Sequence, residues 1–207
     1  LNKKDIEMKT FGKAALALAA VSLLGLTYGC GQKKAGEKAE GTEQVAEEAP
    51  VETCLTAIDR YLTEEIASNY LEGEVSIPFN DYISVDESNP EDIEVLGDFW
   101  VFNYDVAGDT LKTVSGGSHP GKMHVRKDQD GHFEVISFDA VADGSDNIPS
   151  ARRIFGDKFE EFRAANSDSD KREAIRAKTI GEYVRSHNIP VKLYADYGWP
   201  AKEIPAE

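Results

Sequence analysis

Ser115-Gly116-Gly117-Ser118-His119-Pro120-Gly121 is the segment whose residue types come nearest to chemistry. Consecutive glycines can turn backbone N–H groups toward an anion, and an imidazole such as His119 can exchange a proton near neutral pH. The segment lacks the Lys-Ser/Thr ending of a phosphate loop, and neither serine sits in a G-x-S-x-G elbow. It therefore reads as a glycine-rich connection between two hairpins, with Ser118 and His119 as candidate ligand contacts. His119, His124 and His132 fall close together, which raises the question of a metal. On a continuous strand residues 119 and 124 would face opposite sides, so a loop would have to bring them together. No H-E-x-x-H or Cys/His spacing accompanies them. Neither a metal nor a cofactor is expected, and His124 is kept as a candidate ligand contact. Asp128-Gln129-Asp130-Gly131 looks like part of a calcium loop, but Arg126 stands where such a loop needs its first acid, so a turn is expected. Cys54 has no basic neighbour to lower its pKa and reads as a buried thiol. His187, near a helix end, offsets the helix dipole. In the aromatic tail, Tyr197 and Trp199 join the candidate contacts, beside Tyr194.

Charge excludes whole classes of function. The 207 residues hold 38 acidic and 23 basic side chains, a net charge of −15. Ordinary electrostatic binding of nucleic acid needs a basic face and is ruled out. Two cysteines cannot build a disulfide framework or a four-thiolate zinc site. From Tyr61 to Leu111 there are thirteen acids and no lysine or arginine, while residues 151–207 are close to neutral. The acidic stretch reads first as solubility and repulsion from an anionic surface. The functional reading is a face for a cationic ligand, a divalent ion or a basic partner.

The first thirty residues carry an address. Lys9 and Lys13 flank a short positive region starting at Met8, and Ala14 to Leu26 is apolar and uncharged. That run is too short for a comfortable membrane span, which needs about 20 residues, and it suits the centre of an export signal. Translation is expected to begin at Met8. The signal ends Leu26-Thr27-Tyr28-Gly29-Cys30 and is followed by Gly31, which resembles the cleavage box of bacterial lipoproteins, with Thr27 in the place of the usual aliphatic residue. The resemblance implies cleavage after Gly29 and diacylglycerol on Cys30. Lys33 and Lys34 follow the cysteine with no acidic run, which favours a periplasmic face; the expected location is the outer membrane, facing the periplasm. Residues 31–50 hold no aromatic residue and only Val45 as a large aliphatic one, so they read as a tether, its ends about 25 Å apart.

Residues 51–207 are expected to form one domain. Leu55, Ile58, Tyr61, Leu62, Ile66 and Tyr70 recur at helical steps, predicting a helix over 52–71 that stops at Gly73. Strands are expected at Tyr82–Val85, at Ile93–Leu96 and over the aromatic run Phe99–Tyr104, which turns at Ala107-Gly108-Asp109 into Thr110–Ser115. A second hairpin, Lys122–Lys127 with His132–Val141, would set Arg126 opposite Glu134 and Val125 opposite Val135. Two helices are expected after it, with capping boxes at Asp157/Glu160 and Asp170/Glu173 and a stripe of Phe155, Phe159 and Phe162. The aromatic tail should pack on the sheet. The fold class is α+β: an N-terminal helix on a curved antiparallel sheet, followed by two C-terminal helices. The rhythm GDFWVFNYDV…DGHFEVISFD resembles small lipoproteins of the nuclear-transport-factor-like or cystatin-like fold, which implies a pocket between sheet and helix.

The expected function is a lipid-anchored periplasmic binding or accessory module, held to the membrane through Cys30 and engaging a small-molecule ligand or another envelope protein. The alternative is a small hydrolase or isomerase using His119 with a cleft carboxylate such as Asp139, which requires the two side chains within hydrogen-bond reach in one concavity.

Overall fold

The computed structural model describes residues 52–206; the expected signal segment, Cys30 and the tether lie outside the described residues. Among the described residues no helix is long and apolar enough to cross a membrane.

Helix α1 covers Cys54–Tyr61. Thr53 caps it: its Oγ1 accepts from Thr56 N at 3.2 Å, and Thr56 Oγ1 accepts from Thr53 N at 2.9 Å. The helical path widens into a π turn at Leu62–Ile66 and tightens into a 3-10 turn at Ala67–Asn69. Thr63 Oγ1 donates back to the carbonyls of Asp59 and Arg60 within the widened part. The helix gives out at Tyr70, whose backbone is extended, rather than at Gly73. Gly73 serves a different purpose, since a Cβ there would lie 2.8 Å from the Tyr104 backbone.

Strand β1 (Val75–Asp86) pairs antiparallel with β2 (Ile93–Ala107), and β2 pairs antiparallel with β3 (Thr110–Lys127). The strand pieces expected at 93–96 and 99–104 are thus one strand, and the expected strand at 82–85 is the end of a longer one. The glycine-rich segment is not a loop. It is the middle of the 18-residue β3, paired along its length with β2. Its glycines permit close approach, because a Cβ on Gly116 would lie 2.2 Å from the Val101 carbonyl oxygen and one on Gly121 would lie 2.3 Å from that of Asp139.

Strand β4 (Phe133–Ala140) closes the second hairpin in the expected register: Arg126 faces Glu134 and Val125 faces Val135. Arg126 Nη2 reaches Glu134 Oε2 at 2.8 Å, and Gly131 takes the positive φ (+90°) that the turn requires. Short β5 (Leu193–Ala195) runs parallel to the start of β3, and β6 (Lys202–Glu203) pairs with β5. The result is a curled, half-barrel sheet.

Three helices follow where two are expected: α2 (Asn147–Phe155), α3 (Phe159–Ser167) and α4 (Ser169–Ser186). Gly156 at φ +54° breaks the first expected helix into α2 and α3. Its phenylalanine stripe survives the break, with Phe155 and Phe162 stacked at 4.0 Å between centroids. Neither expected capping box forms: α3 has no side-chain cap, and α4 is capped by Asp168, which accepts from Lys171 N at 2.9 Å.

Alternation along β2 sends side chains to two cores. Phe99 and Val101 pack with Ile58 and Leu62 under α1, while Trp100 and Tyr104 pack with Ile180 and Val184 of α4. The sheet is therefore covered on both faces, which explains why the aromatic run has no polar face.

Candidate functional site

Both outer strands lie along the same edge of β3. β4 pairs with it from Gly121 onward, and β5 pairs with it at Thr110–Lys112. Between them, at 113–120, no strand lies along that edge among the described residues. A polar cavity of about 690 Å³ opens in this gap. Tyr70 at the end of the helical segment, Ser118–Pro120 of β3, Asp143 and Asn147 beyond β4, and Arg163 and Asn166 of α3 line it.

His119 sits opposite Phe99 and so points toward the α1 side of the sheet. Its Nε2 is 2.8 Å from the Tyr70 hydroxyl, with the two rings edge to face. Burial pushes the His119 imidazole below its ordinary range, against the opposing pull of the Asp143 and Asp98 charges. Burial, together with the Asp143 charge, pushes the Tyr70 phenol up. Both groups are therefore neutral at pH 7, and they form a hydrogen-bonded pair that can offer a ligand a donor and an acceptor. Gly117 makes room for this pair, since a Cβ at that position would lie 2.3 Å from the Tyr70 hydroxyl oxygen.

Ser118 points the other way. Its hydroxyl accepts from Trp100 Nε1 at 2.9 Å and donates to Asp98 Oδ1 at 2.6 Å. Asp98 is 1% exposed, and its second oxygen accepts from Asn166 Nδ2 at 2.7 Å and from Arg172, whose guanidinium lies 4.1 Å over Trp100. Asp81 lies directly opposite Asp98 across β1 and β2, also buried, with Lys171 Nζ 2.7 Å from its carboxylate. Lys171 and Arg172, in the first turn of α4, thus neutralise two buried acids from the acidic stretch. Ser118 belongs to this structural network and is not a nucleophile served by its neighbour His119.

The chain matches no protein-family model, no curated protein and no solved structure.

His124 is on the opposite face from His119, as continuous-strand geometry requires. Its Nδ1 lies 2.7 Å from Asp92 Oδ1, and its Nε2 lies 3.7 Å from Asp139 Oδ2. Asp139 thus faces His124, and the pairing of His119 with Asp139 is overturned; the carboxylate in the His119 cavity is Asp143. His132 lies in the hairpin turn, where Asp128 Oδ1 accepts from the backbone N–H groups of Asp130 and His132. Cys54 is buried, its thiol pushed up to about 11 by burial and by Glu87, to which it donates at 3.3 Å.

The aromatic tail divides. Tyr194 is buried in β5, whereas Tyr197 is 98% exposed and Trp199 is 74% exposed, so neither of these two packs on the sheet. Trp199 does line a cavity of about 400 Å³ with Tyr194, Asp196 and Lys202. Arg176 pins the tail through a two-point contact with Asp196 at 2.7 Å, which, with Thr113 Oγ1 donating at 2.6 Å, holds that carboxyl down at about 2. Sequence reasoning missed Tyr70 as a site residue, having seen only the last apolar position of a helix, and it missed Asp143, Asn147 and Asn166, which carry no motif.

Proposed function

We propose that this chain is a lipid-anchored binding module of the bacterial envelope, tethered through Cys30 to the outer membrane and facing the periplasm. Its ligand is a small polar molecule held in the Tyr70–His119 cavity. The observation that carries this reading is the neutral Tyr70–His119 pair at 2.8 Å inside a cavity lined mainly by hydrogen-bonding groups. Such a lining, which sets Asp143 and Arg163 among neutral hydrogen-bonding groups, suits the orientation of an uncharged or zwitterionic ligand.

The test is a thermal-shift screen of the full chain in detergent against amino acids, dipeptides, and mono- and disaccharides. A bound compound at a hundredfold excess over its Kd stabilises by about 2.7 kcal/mol. A hit whose effect disappears in both Tyr70→Phe and His119→Ala supports the reading; hits unaffected by either substitution contradict it.

A second reading rests on Asp143. Asp143 lines the same cavity as His119 but makes no direct hydrogen bond to it, so in this reading the bound ligand bridges the two and His119 moves a proton on it with Asp143 as the accompanying carboxylate. Turnover that falls in His119→Ala and Asp143→Asn while ligand affinity is retained would favour this reading.

A further inference from the structure

On the face of β3 opposite His119, sheet register assembles a mixed nitrogen and oxygen donor set. Glu94 on β2 lies directly opposite His124 on β3. Asp92 lies in the turn just before β2, and its carboxylate comes within 2.7 Å of His124 Nδ1. One donor atom from each of Asp92, Glu94 and His124 falls within 4.8 Å of the others. Three ligands bound tetrahedrally at about 2.0–2.2 Å stand about 3.3–3.6 Å apart, so side-chain rotation must draw the set inward to close it around one ion. His124 is only partly exposed, with 17% of its side chain accessible, whereas the two carboxylates are open to solvent and leave a path of entry.

We propose that Asp92, Glu94 and His124 form a binding site for a divalent transition-metal ion of the zinc type. The imidazole sets the class: ring nitrogen suits zinc and its neighbours, whereas calcium and magnesium take oxygen ligands. Nδ1, which faces Asp92 at 2.7 Å, supplies the nitrogen ligand after giving up its proton, and the other ring nitrogen carries the N–H. That Nε2–H points at Asp139 Oδ2, 3.7 Å away. Asp139 is the outer carboxylate that orients a metal-bound imidazole and fixes its tautomer. It acts as a positioning residue and does not touch the ion. One group opposes the ion. Lys122 Nζ lies 2.8 Å from Glu94 Oε2 and must release that oxygen when the ion enters.

These roles give substitutions with opposite signs. Titration calorimetry of the full chain in detergent with ZnCl2 should show saturable binding that differs among variants. His124→Ala and Asp92→Asn should weaken it by about tenfold or more, and Asp139→Asn by about tenfold through the lost outer partner. Lys122→Met should tighten it by roughly threefold, because a cation next to the site and a competitor for Glu94 are both gone. A misfolded variant cannot bind more tightly, so this arm separates a site from general damage. CaCl2 should not compete. The proposal is overturned if zinc does not bind, if His124→Ala binds as tightly as the unmodified chain, if Lys122→Met fails to tighten binding, or if calcium displaces zinc.

Discussion

The Tyr70 hydroxyl lies 2.8 Å from His119 Nε2, in a space that exists because residue 117 has no side chain. A methyl group at Gly117 would sit 2.3 Å from that oxygen, so the phenol must swing away. Gly117→Ala should therefore lose the hydrogen bond, at about 1 kcal/mol, and let water reach the imidazole. The measurable sign is an NMR titration in which the His119 pKa rises toward the ordinary 6.5. An unshifted titration in Gly117→Ala would show that the pair does not control the His119 environment.

Burial of His119 also links stability to pH. Its folded pKa is depressed, so between that value and 6.5 the unfolded chain binds the proton that the folded chain refuses. The contribution is complete above the unfolded pKa and is lost as pH falls through the folded one. Denaturation midpoints should fall as pH drops below about 6.5, and His119→Gln should remove part of that slope. Parallel slopes for the two proteins would exclude the linkage.

Much of the sheet is legible in the residues. The hairpin around Gly131 can be read because its charges and its valines each demand the same register, and Arg126 does meet Glu134. The aromatic run from Phe99 to Tyr104 is a strand for the reason its composition suggests. Residues 115–121 mislead because glycine marks a turn and a close contact alike, and only the tertiary neighbours of Gly116, Gly117 and Gly121 decide between them. His119 is recognisable by type, but its partner is not: Tyr70 and Asp143 reach the cavity from separate segments with no sequence spacing that relates them. Asp92, Glu94 and His124 are likewise joined only by the pairing of β2 with β3.

The charge asymmetry of the chain has a structural outlet in Asp81 and Asp98. These carboxylates face each other across two strands, with Lys171 and Arg172 answering them. Removing one partner of a buried pair leaves the other uncompensated. Arg172→Ala should cost about 3 kcal/mol in chemical denaturation, and the double variant Arg172→Ala/Asp98→Asn should cost less than the single one. A double variant no more stable than Arg172→Ala would show that the ion pair is not the source of the loss.

Membrane attachment makes a separate prediction at Cys30. On the proposed lipidation of Cys30, Cys30→Ser should move the protein from the membrane fraction to the soluble periplasmic fraction, because the acyl chains would be the anchor. Retention of the serine variant in the membrane fraction would remove the lipid anchor from the account.

The cavity is tested by the affinity of one stabilising compound for the unmodified chain and for Tyr70→Phe and His119→Ala. The hydroxyl and the imidazole are part-buried polar groups of the cavity lining, and loss of one hydrogen bond to the proposed ligand is worth about 1–1.5 kcal/mol. The account predicts that each substitution weakens binding by about fivefold to tenfold. Equal affinity in all three proteins would place the ligand elsewhere and contradict it.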